Sequence, residues 1–166
     1  MAEFATAYRI ADPEFSNTPE EMLSGYGAQL YGGRWNSEGV PCAYLGDSRA
    51  VAAMEILVHH EEAPILDLYS IMQVDIPLEC VLSIEPDSLP EGWDATDRLD
   101  PASQRVGDQW LASSASLALV VPSVASPGDF AMLVNPRHPD FDKLTCGPIE
   151  PYRLDARLLA ALRGES

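Results

Sequence analysis

The sequence predicts an α+β fold in one domain spanning residues 1–166. Strand-like and helix-like segments follow one another without regular βα alternation, which disfavours a doubly wound sheet. The chain has 166 residues, 46% of them apolar, enough for a single hydrophobic core. No linker-like stretch, internal repeat or low-complexity segment divides it.

The segments justify themselves in order. AYRI at 7–10 reads as a short strand. TPEEMLSG at 18–25 reads as a helix: Thr18 is a candidate N-cap, Pro19 suits the first helical position, Glu21 completes a capping box, and Gly25 stops the helix. PCAYLGD at 41–47 is a strand followed by a turn. SRAVAAMEILVHH at 48–60 is the strongest helical pattern, capped by Asp47 or Ser48 and apolar nearly all round except at Glu55. IMQVDIP and VLSIEP are strands ended by Pro77 and Pro86. Residues 86–100 are acidic and rich in turn formers, hence a surface loop. Pro101 opens a helix over 101–113. LALVVPS and FAMLVNP are buried strands, IEPYRL is a weaker one, and DARLLAALRG is a C-terminal helix.

Composition excludes several classes of function. Ten Lys and Arg face twenty-six Asp and Glu, a net charge of −16. Such a chain repels nucleic-acid backbones and anionic membranes, while a basic protein partner is compatible with it. No apolar run approaches membrane-spanning length. The opening MAEFATAYRI lacks the charged and apolar regions of a signal peptide. Cys42, Cys80 and Cys146 are odd in number and widely spaced, suggesting a reduced, cytoplasmic setting without disulfides. His59 and His60 are adjacent rather than i, i+4, and His138 lies between prolines, so no metal site is expected.

Four stretches carry chemistry. In YGGRWN, Gly32 and Gly33 permit positive φ and let backbone approach a ligand closely, and Arg34 presents a planar fork suited to phosphate or carboxylate. Trp35 and Tyr31 are placed to stack on a ring, and Asn36 to bond locally or to a ligand. The plainer reading is a glycine turn with Arg34 in a structural ion pair, Glu55 being one candidate partner. Glu55 in turn either reaches water or a structural arginine from the edge of a buried helix face, or serves a polar cleft. Ser123 ends an apolar strand without a nucleophile-elbow motif, so a turn serine and a cleft-lining serine both stay open. Asn135 before Pro136 reads by itself as a turn former. Trp93 and Trp110 read as core or interface anchors.

The order of YRI, GGRWNSEGVPCAYLGDS, AAMEILVHH, VVPSVASP and FAMLVNPRHP resembles the RES-domain family, toxins of bacterial toxin–antitoxin modules paired with an Xre-type antitoxin. The likeness runs from Tyr8 to about Leu154; the segment 86–100 has no counterpart in it. It implies a single RES domain with an ADP-ribosyltransferase-like fold, mixed β-sheets flanked by helices. The family's arginine falls on Arg34, its glutamate on Glu55 and its serine on Ser123. Tyr44, Asn135 and the pair Tyr8 and Arg9 match further family positions.

The resemblance implies chemistry on NAD as substrate, without a metal. Cleaving the nicotinamide–ribose bond passes through an oxocarbenium-like state that a carboxylate stabilises, the expected role of Glu55. Arg34 is expected on the diphosphate and Tyr44 against the nicotinamide ring. Ser123 and Asn135 are expected to orient ribose or amide groups. Three functions follow: transfer of ADP-ribose to water or phosphate, modification of a housekeeping or metabolic enzyme as a protein ADP-ribosyltransferase, or an inert antitoxin-binding protein that retains the fold. In all three the partner is the antitoxin, with no direct nucleic-acid or membrane contact.

Overall fold

A computed structural model describes residues 3–58 and 64–164. Its centre is one curled sheet of eight strands: β1 (Phe4–Ala11), β2 (Ala43–Gly46), β3 (Leu68–Pro77), β4 (Val81–Ser83), β5 (Ala118–Pro122), β6 (Phe130–Val134), β7 (Thr145–Cys146) and β8 (Glu150–Arg153). The order across the sheet is β4-β5-β6-β2-β1-β3, and β7 and β8 share the outer edge of β3. Every pairing is antiparallel except β4 with β5. Among the described residues five α-helices surround it: α1 (Pro19–Met22), α2 (Tyr26–Tyr31), α3 (Arg49–Val58), α4 (Pro101–Ser113) and α5 (Ala156–Leu162). The mixed α and β architecture agrees with the sequence expectation.

Local chemistry explains most boundaries. Thr18 caps α1 by accepting the Glu21 N–H at 3.1 Å, but Glu21 accepts from the Asn17 side chain, so only half of the expected capping box forms. Ser48, rather than Asp47, caps α3 through the Val51 N–H. Asp100 caps α4 through the Ala102 N–H, with Pro101 at the first position. The helical pattern at 48–60 is seen as far as Val58; His59 and His60 lie outside the described residues. Helix α3 is not apolar-buried all round. Met54 is 41% and Val58 54% exposed, so one side meets solvent while Val51, Ala52, Ala53 and Glu55 face inward.

Alternation along the strands divides the core between the two faces of the sheet. One face packs Ala7, Ala43, Leu45, Val74, Ala118 and Val134 against Met22 and Leu23 at the end of α1. The other face is shared. Helix α3 covers Ile10, Tyr69 and Ile71 on the β1–β3 half. Trp35 and helix α4, through Trp110 and Leu111, cover Leu119, Val121, Ala131 and Leu133 on the β5–β6 half. Gly46 permits α3 to lie close to β2, because a Cβ there would overlap the main chain of Ala52. No described helix is long and apolar enough to cross a membrane.

Candidate active site

The site lies on the shared face, where α3, the turn at 31–36 and the end of β5 approach one another. Glu55 is nearly buried, on the sheet-facing side of α3. Ser123, 5% exposed, follows β5 and continues the alternation of Leu119 and Val121, so it points to the same side. Its Oγ donates to Glu55 Oε1 at 2.6 Å and accepts the Ser126 N–H at 3.0 Å. The Ser123 N–H is itself anchored on the Asp129 carbonyl at 3.0 Å. The hydroxyl thus has one available orientation, and it holds a carboxylate oxygen in place.

Arg34 stands within electrostatic reach of that carboxylate. Burial pulls its pKa below the ordinary arginine value, and the negative charges of Glu55, Asp94 and Asp100 oppose the shift. Its Nη1 donates to the Trp93 carbonyl at 2.7 Å and its Nη2 to the Ala95 carbonyl at 2.8 Å. The acidic loop at 86–100 is therefore clasped against the arginine. Trp93 also leans on Trp35, with ring centroids 6.0 Å apart and planes inclined by 32°.

Tyr44 braces the turn that carries Arg34. Its hydroxyl accepts the Trp35 N–H at 3.0 Å and donates to Asn36 Oδ1 at 2.6 Å. Burial raises its pKa well above the ordinary phenol range, and the neighbouring Glu55 carboxylate adds to this. The fully buried Asn36 also donates to the Ala28 and Val40 carbonyls at 2.8 Å, so its bonds are local. Of the two glycines, only Gly32 takes a positive φ, 74°. Gly33 serves another purpose: a Cβ there would stand 2.5 Å from the Tyr44 hydroxyl oxygen. The close approach expected for a ligand is made by Tyr44. Trp35, expected to stack on a ligand ring, is 2% exposed and belongs to the core, whereas Tyr31 is 60% exposed.

A cleft of about 370 Å³ opens beside Ser123. Trp93, Asp94 and Thr96 of the 86–100 loop line it together with Asp129 and Phe130. Arg34, Tyr44, Glu55 and Ser123 thus gather around one region. The other three expected residues lie apart from Ser123 or are engaged elsewhere. Asn135 is six ladder positions from the Ser123 end of β5 and β6, about 20 Å along the strands. There its Nδ2 donates to the Leu111 carbonyl and its Oδ1 accepts the Arg137 N–H, joining β6 to α4. The turn-forming reading of Asn135 describes that position better than a ligand-orienting one. Arg9 projects on the opposite sheet face, donating to the Met22 and Tyr44 carbonyls. Burial lowers its pKa to about 10. Tyr8 lies under α3, with the Arg49 guanidinium 5.2 Å from its ring centroid. Sequence reasoning missed Trp93, Asp94 and Phe130 as cleft walls; the available signal was a lone tryptophan within a turn-rich loop. Among the described residues, no group of three His, Cys, Asp or Glu side chains is placed to hold a metal ion.

The sequence of the chain is shared with known proteins over most of its length. The model of the RES domain matches residues 6–155. The chain belongs to the RES domain family. It is similar to "Toxin Res" of Yersinia enterocolitica, 37% identical over 141 residues, covering 81% of this chain and 89% of that protein. It is equally similar to the "Prs ADP-ribosylating toxin" of a Sphingobium species, 37% over 144 residues, covering 82% and 86%. A "Toxin Res" of Photorhabdus laumondii is 34% identical over 144 residues, covering 86% and 91%. The RES match takes in Arg34, Glu55 and Ser123, and it includes the loop at 86–100 as well.

Proposed function

We propose that this RES-domain protein is a bacterial toxin that cleaves the nicotinamide–ribose bond of NAD and transfers ADP-ribose to an acceptor. The observation that carries the reading is the nearly buried Glu55 carboxylate, fixed by Ser123 beside a cleft and under the field of Arg34. A carboxylate fixed in this way, aimed at a ribose, stabilises the positive charge that develops at the anomeric carbon as the bond to nicotinamide breaks. The electron pair of that bond leaves with the ring nitrogen, which becomes neutral. The acceptor oxygen then forms the new bond to the anomeric carbon and loses its proton.

Each side chain has a distinct part in this proposal. Glu55 faces the reacting ribose, and the Ser123 hydroxyl orients its carboxylate by donating to Oε1. Arg34 retains three N–H groups beyond the two that hold loop carbonyls, available to an anionic part of the substrate. Tyr44 fixes the turn from which Arg34 projects. NAD is the substrate, and no metal enters the scheme. An antitoxin of the Xre type would restrain the activity by covering the cleft, and DNA binding would belong to that partner, consistent with the charge of −16 on this chain.

Water or phosphate is the acceptor in the first form of the proposal. The second form, transfer to a protein, draws support from the relative whose name describes ADP-ribosylation of Prs. Incubating the purified protein with adenylate-labelled NAD decides between them. Free ADP-ribose supports hydrolysis. ADP-ribose phosphate, formed only when phosphate is added, supports phosphorolysis. Label fixed to a Prs band supports protein modification. Intact NAD under every condition, after complete removal of any antitoxin, supports the inert reading and rejects the proposal.

A further inference from the structure

The cleft beside Ser123 has a composition unlike that of a phosphate site. Its walls bring together two aromatic rings, Trp93 and Phe130, and two carboxylates, Asp94 and Asp129. Neither wall is loose. Arg34 grips the carbonyls of Trp93 and Ala95, the residues on either side of Asp94, and Trp35 backs the Trp93 ring. In the segment after β5, Asp129 accepts the Ser126 hydroxyl at 2.7 Å through Oδ2 and the Ser123 N–H through its carbonyl. Glu55 adds a third carboxylate behind Ser123. Arg34 is the single cation set against these acids in the described site. A negatively charged ligand group is disfavoured in such a field, and a flat cation is favoured, by charge and by the electron-rich ring faces.

The size of the cleft points the same way. About 370 Å³ lies at the small end of ligand pockets, which run from about 300 to 1,000 Å³. It suits a ring and part of a sugar, with the remainder of a dinucleotide lying outside.

We infer that this cleft receives the positively charged pyridinium ring of the substrate, that Trp93 and Asp94 make it discriminate a cationic from a neutral ring, and that Arg34 acts on it as a positioning residue by clasping the 93–95 segment. The inference rests on the NAD reading above and adds the residues that choose the charge state of the ring. Arg34 is thereby assigned first to the wall of the cleft and only through its remaining N–H groups to the substrate.

The test compares 1-methylnicotinamide, a permanent cation, with nicotinamide, a neutral molecule of the same ring and amide. Binding of each to the full chain is measured by calorimetry, and NAD consumption is followed separately. The cation is expected to bind about threefold to thirtyfold more tightly. Asp94→Asn, an exposed change compatible with folding, is expected to lower cation affinity by several fold while leaving nicotinamide binding unchanged. Trp93→Leu is expected to weaken both and to abolish the charge-transfer absorbance of an indole stacked on a pyridinium. Arg34→Lys is expected to raise KM for NAD more than it lowers kcat, because one ammonium cannot hold both carbonyls. Equal affinities for the two probes, or an Asp94→Asn protein with unaltered preference, overturn the inference even if NAD is consumed. So does a cleft that binds an arginine-rich peptide but neither probe. Cation preference in a protein that leaves NAD intact supports the subsite while rejecting the proposed activity.

Discussion

Ser123 Oγ lies 2.6 Å from Glu55 Oε1, a hydrogen bond between residues 68 positions apart that joins the end of β5 to the buried face of α3. The bond fixes one carboxylate oxygen and leaves the rotation of Glu55 little freedom. Removing the hydroxyl takes one donor from the Glu55 carboxylate and the acceptor from the Ser126 N–H. Ser123→Ala is therefore expected to lose about 1–3 kcal/mol of stability in denaturant unfolding. It should also lower kcat for NAD consumption by roughly tenfold to a hundredfold, with a smaller change in KM. Glu55→Gln should lower kcat further with little loss of folding. Unaltered turnover in Glu55→Gln removes that side chain from the chemistry.

The clasp between Arg34 and the loop at 86–100 predicts a local rather than global effect of its removal. Arg34→Ala deletes two charge-assisted bonds to the Trp93 and Ala95 carbonyls. The other ties described for the loop are the Trp35–Trp93 contact and the packing of Leu89 and Trp93 on the core of the β5–β6 half. Amide hydrogen exchange across 93–96 should accelerate well beyond that of β5 and β6, while the main unfolding transition shifts little. Uniform acceleration across the sheet would show that Arg34 supports the whole fold rather than this wall.

The turn at 31–36 offers a test of crowding at the Tyr44 hydroxyl. Gly33→Ala would place a Cβ 2.5 Å from the Tyr44 hydroxyl oxygen and 2.8 Å from Asn36 Oδ1, and should cost about 1–3 kcal/mol. Tyr44→Phe removes that hydroxyl and with it the bonds to Trp35 and Asn36. If the crowding is the cause, the double variant is less destabilised than the sum of the two single ones. Strict additivity would mean that the strain lies elsewhere in the turn.

What the sequence revealed follows from how local each signal is. Helix α4 was legible over 101–113 because its cap and its opening proline are adjacent in sequence. The strands β5 and β6 were legible because buried runs of Leu, Val and Met leave little alternative. Helix α2, six residues containing a glycine, and β7, two residues long, have too little local pattern to be seen. Arg34, Glu55 and Ser123 were recognisable as chemically loaded, but their partners were not. The carbonyls that Arg34 holds are 59 and 61 residues away, and nothing in GGRWN itself specifies them. Asn135 shows the converse: the local reading of Asn before proline matched its place at the strand end, and the role suggested by resemblance did not bring it to Ser123.

Cys42 and Arg9 predict a pH dependence of stability with a defined sign. Burial of the Cys42 thiol, 1% exposed, pushes its pKa far above the ordinary 9.0, against the pull of the Arg9 charge. In the unfolded chain the thiol loses its proton near pH 9, whereas in the folded chain it keeps it. The folded state then binds more protons, so stability is complete below pH 9 and falls as pH rises. Arg9 has the opposite sign. Its folded pKa, lowered to about 10, lies below its ordinary 12.5, so from about pH 10 upward its deprotonation favours the folded state. The window between pH 9 and 10 therefore separates the two. There Cys42 adds a slope that approaches about −1.4 kcal/mol per pH unit. Cys42→Ala should flatten the stability profile measured by denaturant unfolding across that window, whatever its offset at pH 7. Parallel profiles for the two proteins would show that the thiol ionises as readily in the folded chain as in the unfolded one.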